Sequence, residues 1–153
     1  MSEFEPWSSA ALAGVPQSEA QELLGTMVGE PAELRLMRLQ TTFRGGLPPR
    51  VLQRVREYVE TNLESSISLQ DLATVAGLST SHFIRAFRQS EGITPHRYLL
   101  CRRVQRALGL LAETEMPLAE IAVASGFADQ SHFCRQFRRF VGAPPSRYRW
   151  LAR

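Results

Sequence analysis

The stretch SHFIRAFRQSEG that begins at Ser81 returns as SHFCRQFRRFVG at Ser131. A chain that writes one pattern twice gives both copies the same local fold, and the pattern is helical. Phe83 and Phe87 in one copy, and Phe133 and Phe137 in the other, recur at a spacing that puts each pair on one buried stripe. Ser79 and Asp129 stand where an N-cap is needed. Upstream of each copy the sequence predicts a shorter helix. The first starts at Ser68-Leu-Gln-Asp71, a capping-box-like opening, and turns Leu72, Ala73 and Ala76 inward. The second opens with Pro117 in its first turn and continues through Leu118, Ile121, Ala122 and Ala124. Both end at a glycine, Gly77 and Gly126, each with an alanine four residues earlier. The alanine lets two helices cross closely, and the glycine takes the positive φ of a tight turn. The copies also share closing segments, GITPHRY and GAPPSRY. Their offset is 49 residues before the turn and 50 after it, so the second turn carries one extra residue.

Between the copies runs HRYLLCRRVQRALGLLAET, a predicted helix over about 95–114 with Tyr98, Val104, Ala107, Leu108 and Leu111 on one stripe. Twenty helical residues span about 30 Å at ~1.5 Å each. Two short helices joined by a glycine turn form a helix-turn-helix, whose second helix projects side chains into a DNA major groove. Successive major-groove openings on one face of a duplex lie roughly 34–36 Å apart, close to that length. The arrangement therefore predicts two readers at the pitch of double-stranded DNA, supplied by duplication within one chain. Helical spacing puts Thr80, Ser81, Ile84, Arg85 and Arg88 on the opposite face of the first copy, and Gln130, Ser131, Cys134, Arg135 and Arg138 on that of the second. Arg85 and Arg135 hold equivalent places, where a guanidinium fork can meet guanine O6 and N7. Arg88, Arg138 and Arg139 lie a turn or less further on, where phosphate contact is expected, and His82 and His132 beside the caps suit a phosphate hydrogen bond.

Charge agrees with a polyanionic partner. Residues 1–46 hold three arginines against six acids, a net of −3, whereas residues 47–153 hold fifteen against nine, a net of +6. All 18 basic residues are arginine, the side chain whose planar fork best fits phosphate and guanine edges. Phe43-Arg-Gly-Gly-Leu-Pro-Pro49 is turn chemistry and sets a domain boundary at 46/47. Residues 1–46 read as a linker or remnant of unassigned role, with SEAQELLGTMVG and PAELRLMRL each predicting one short helix. Past the boundary, Val51 or Leu52, Val55, Tyr58, Val59 and Leu63 predict a first amphipathic helix. No apolar run reaches the roughly 20 residues needed to span a bilayer, and MSEFEPW lacks a signal peptide's basic and apolar regions, so a cytoplasmic location is expected.

Other chemistries fare poorly. Cys101 and Cys134 form no CxxC pair and are read as reduced thiols. His82 and His132 sit on different helices without a second ligand at i+4, so no metal is expected. His132 and Cys134 point to different faces, and no catalytic constellation or cofactor site emerges. The four repeated phenylalanines read as core rather than as a base-stacking platform. Gly45-Gly46 is not followed by Lys-Ser or Lys-Thr, so it is no phosphate loop. The chain is not expected to be an enzyme.

LATVAGLSTSHFIRAFRQSEGITPHRYL, RRVQRALGLL and IAVASGFADQSHFCRQFRRFVGAPPSRYR together resemble the DNA-binding half of the AraC/XylS family of bacterial transcription regulators, over about residues 48–150. The resemblance implies an all-α unit of about seven helices: one helix-turn-helix near 69–91, a linking helix near 95–114 and a second helix-turn-helix near 118–141. It maps base contacts onto Thr80, Ser81, Ile84 and Arg85, and onto Gln130, Ser131, Cys134 and Arg135. Ile84 and Cys134 could offer little beyond contact with a thymine methyl. It also implies RNA polymerase as a partner. Many relatives carry a β-rich effector-binding domain, and residues 1–46 lack the strand patterns to build one, so no small-molecule effector is evident. Two other readings share the same surfaces, a non-specific architectural DNA binder and a polymerase-docking module.

Overall fold

The computed structural model describes residues 45–153, which form seven helices and no strand. In chain order these are α1 Pro49–Thr61, α2 Leu69–Ala76, α3 Thr80–Glu91, α4 Pro95–Glu113, α5 Leu118–Ala124, α6 Gln130–Val141 and α7 Pro145–Leu151. The all-α expectation holds, while the two short helices expected before residue 45 lie outside the described residues. α7 grows out of the closing segment GAPPSRY, where Pro145 at the first helical position is already shaped for the turn.

Helix starts follow local chemistry. Ser68 Oγ accepts from the Asp71 backbone N–H at 3.0 Å, and Asp71 Oδ2 accepts from the Ser68 N–H at 2.9 Å, closing the capping box. The Ser68 hydroxyl and backbone N–H hold the Asp71 carboxyl below its ordinary range. α5 departs from expectation. Pro117 is its N-cap rather than a residue of its first turn, and no side chain caps it. α2 and α5 finish alike: Gly77 and Gly126 take φ +70° and +84°, and the next residue in each case, Leu78 or Phe127, donates back to Ala73 or Ala122 at 3.0 and 2.9 Å. The extra residue of the second turn lengthens the path from Gly126 to the cap at Asp129.

Two cores form. Val55, Val59, Leu63, Leu72, Ala73, Phe83, Phe87, Tyr98 and Leu99 make the first, and Leu100, Val104, Ala107, Leu111, Ile121, Ala122, Phe127, Phe133 and Phe137 make the second. The repeated phenylalanines meet with ring centroids the same 5.5 Å apart in both, tilted in the first and edge-on in the second, and each second ring meets a tyrosine, Phe87 with Tyr98 and Phe137 with Tyr148. Burial pushes the Tyr98 phenol up to about 12, an effect the Arg102 charge opposes and the Glu91 charge reinforces. α4 is broader in its burial than one stripe. It changes allegiance between Leu99 and Leu100, so its N-terminal turn belongs to the first core and the rest to the second. The linking helix is therefore a shared wall of two cores rather than a free spacer. Leu108, expected on the stripe, is only half-buried.

Candidate nucleic-acid interface

The sequence that makes α3 and α6 amphipathic also decides what they expose. Burying Phe83, Ala86 and Phe87 leaves Ser81, Arg85 and Arg88 at the surface, and burying Phe133 and Phe137 leaves Ser131, Arg135, Arg138 and Arg139 there. The side chains of Arg85, Arg88, Arg135 and Arg139 have no hydrogen bond or ion pair among the described residues. Arg88 lies in the last turn of α3, and Arg138 and Arg139 in that of α6, where the helix dipole favours a cation.

The remaining expected readers are more engaged. Thr80 is half-buried and its hydroxyl bonds to Gln70 Oε1 at 2.8 Å, which ties the start of α3 to α2. Gln130 is exposed at the first position of α6. Ile84 and Cys134 are half-buried, and Cys134 packs against the second core, where burial pushes its thiol pKa up and keeps it neutral. His82 and His132 differ. The backbone N–H of each goes to its cap, His82 to Ser79 Oγ at 3.3 Å and His132 to Asp129 Oδ1 at 2.7 Å. The His82 ring is exposed, whereas the His132 ring stands edge-on to Phe127 with centroids 5.5 Å apart. Phe127 itself, buried behind the second turn, escaped the periodicity reading because it lies between helices; its place after Gly126, matching Leu78 after Gly77, is the signal that marks it.

Several arginines that swell the positive charge are engaged inside the fold. Arg56 Nε donates to the fully buried side chain of Glu91 at 2.7 Å, and Arg102 Nε to Glu60 Oε1 at 2.5 Å. Arg106 pairs with Glu64, and Arg149 donates to the Met116 carbonyl. Net charge alone therefore overstates the free positive surface, of which the exposed arginines on α3 and α6 are one part. Among the described residues no cluster of His, Cys, Asp or Glu could hold a metal ion, and no helix is long and apolar enough to cross a membrane.

Two similarly built helix-turn-helix units, each with its own core and sharing one connecting helix, define a double helix-turn-helix module. Residues 72–150 match the family described as "Helix-turn-helix domain". The chain belongs to the AraC-type helix-turn-helix family of transcriptional regulators. It is 40% identical over 99 residues to the probable transcriptional regulator LumQ of Photobacterium leiognathi, a match covering 65% of this chain and 40% of LumQ. It is also similar in structure to an AraC-type DNA-binding domain protein of Chromobacterium violaceum, with TM-score 0.63 and 30% identity over 67% of this chain and 92% of that one. The DNA-binding domain of AdpA, solved with a target DNA, superposes with TM-score 0.63 and 30% identity over 65% of this chain and 89% of AdpA's. The matched segment thus spans well under half of LumQ.

Proposed function

We propose that the protein is a sequence-specific, double-stranded DNA-binding transcription regulator that reads two successive major-groove segments with α3 and α6. One observation carries the reading: the two helices bury equivalent phenylalanines and leave equivalent arginines, Arg85 and Arg135, exposed without an internal partner among the described residues. A guanidinium left unsatisfied by its own fold is available for a bidentate base contact. In this reading Thr80, Ser81 and Ile84 with Arg85, and Gln130, Ser131 and Cys134 with Arg135, face base edges. His82, Arg88, His132, Arg138 and Arg139 meet phosphates. Thr80 acts chiefly by holding α3 to α2, and Cys134 offers a neutral, weakly polar surface. The structural likeness to AdpA's DNA-bound domain supports the same use of the fold. Residues 47–153 are the DNA-binding unit, and RNA polymerase is the partner through which binding acts on transcription.

Selection from a random duplex library tests this. A motif of two parts, separated by about one helical turn, is expected. A single short motif would mean one reading helix, and enrichment without any motif would favour the architectural alternative.

A further inference from the structure

Gly77 and Gly126 end the equivalent helices of the two units with the same left-handed conformation and the same backbone hydrogen bonds. Their surroundings differ completely. A Cβ added at Gly77 would meet nothing within 4 Å, but one added at Gly126 would lie 1.9 Å from the Leu63 carbonyl oxygen and 2.6 Å from Arg103 Nε. Leu63 belongs to the first core, just past α1, and Phe127 beside Gly126 belongs to the second. The turn of the second helix-turn-helix is therefore seated on the backbone of the first unit. Arg103, reaching from α4, completes the joint: Nε donates to that same Leu63 carbonyl at 3.2 Å and Nη2 to the Ser65 carbonyl at 2.8 Å. On either side, Arg102 with Glu60 and Arg106 with Glu64 tie the end of α1 and the segment just after it to α4.

The geometry points to this joint, the Leu63 carbonyl with Arg103 and Gly126, as the element that sets the orientation of α6 relative to α3 and hence the half-site spacing the protein accepts. Gly126 and Arg103 are then specificity-determining positioning residues that need touch no DNA. Their hold is steric and directional. A turn pressed on a carbonyl can neither rotate nor withdraw without losing that packing, and a forked guanidinium on two nearby carbonyls holds the seat in one place. Rigid placement matters because linked binding gains only when both modules engage together. A single base pair inserted between half-sites turns one against the other by about 35°.

The inference rests on the two-reader proposal, and the experiment separates the two. The full-length chain and its Gly77→Ala, Gly126→Ala, Arg103→Ala and Arg103→Lys variants are titrated against duplexes carrying the selected half-sites at the native spacing, at spacings one or two base pairs shorter or longer, and singly. Circular dichroism and thermal unfolding are followed in parallel. The wild-type protein should show one sharp optimum, and Gly77→Ala, which bears the same backbone strain without the close approach, should keep it. Gly126→Ala and Arg103→Ala should flatten or move the optimum and lose roughly tenfold or more at the native spacing, while single half-sites bind as before. Arg103→Lys keeps the charge but not the fork, and should recover the profile only in part. If Gly126→Ala fails to fold, Arg103→Ala decides alone. Folded variants that retain the wild-type optimum and affinity would overturn the inference, as would a loss equally large on single half-sites. A wild-type protein indifferent to spacing would instead remove the two-reader proposal on which it rests.

Discussion

Arg85 and Arg88 stand less than one turn apart on α3, yet they are expected to do different work. A guanidinium on a guanine edge discriminates, at about 1–3 kcal/mol per good bidentate pair, whereas one on a phosphate contributes counterion release without sequence information. Alanine at Arg85 or Arg135, both exposed, should leave helicity unchanged and relax preference at one or two base pairs in one half of the site. Alanine at Arg88 or Arg139 should weaken binding to every duplex alike and reduce the slope of log K against log salt by about 0.9 for each phosphate no longer neutralised. Binding isotherms on selected and scrambled duplexes across a salt series check both. An unchanged motif in the Arg85 and Arg135 variants would take them out of the reading set. The same residue scale explains why other arginines are poor choices for such an assay. Arg56 holds the carboxylate of Glu91, whose side chain is fully buried, so its removal would strand a charge and be read as unfolding.

Among the helices α4 is the one whose sequence and role are most at odds. Gly109 lies inside it, where a glycine lowers helix stability by roughly 0.5–1 kcal/mol relative to alanine. A Cβ there meets nothing within 4 Å, and its φ is not positive. Gly109→Ala should therefore raise the unfolding midpoint by a few degrees, corresponding to roughly 0.5–1 kcal/mol, without altering DNA affinity. Scanning calorimetry with a parallel titration checks it, and a fall in the midpoint would show that the helix needs to bend at that position. Gly126 makes the opposite prediction from the same residue type. Local sequence already places Gly126 in a turn and Gly109 inside a helix, but it does not show that Gly126 alone bears on another segment.

Taken as a whole, the molecule divides charge unevenly, with an acidic stretch over residues 1–46 and the basic surplus after it. The described fold begins at Gly45, and the Leu47 N–H donates to Ser90 Oγ at 2.6 Å beside the end of α3. Every proposed reader lies beyond that anchor, as do the helices that build both cores. A chain trimmed to residues 45–153 should bind the selected site within a few-fold of the full chain, as measured by titration of both proteins on the same duplex. A folded but inactive trimmed protein would make residues 1–44 a working part of the complex.

What could be read from the sequence alone were features carried by neighbours along the chain. Phenylalanines four apart specify a buried stripe, Ser68 with Asp71 specifies a cap, and glycine at 77 and 126 specifies a left-handed turn, because each depends on interactions within a turn or two of helix. The doubling of the motif and the face that carries Arg85 and Arg135 followed from the same short-range periodicity. Tertiary structure alone decided which of the remaining arginines are consumed internally, since Arg56, Arg102, Arg103 and Arg106 find partners 35 to 42 residues away. It also decided that α4 serves two cores, and that one of two equivalent glycines faces open space while the other bears on the Leu63 carbonyl. Such distinctions arise from packing between distant segments, and a local pattern that is the same in both copies cannot encode a difference that only their assembly creates.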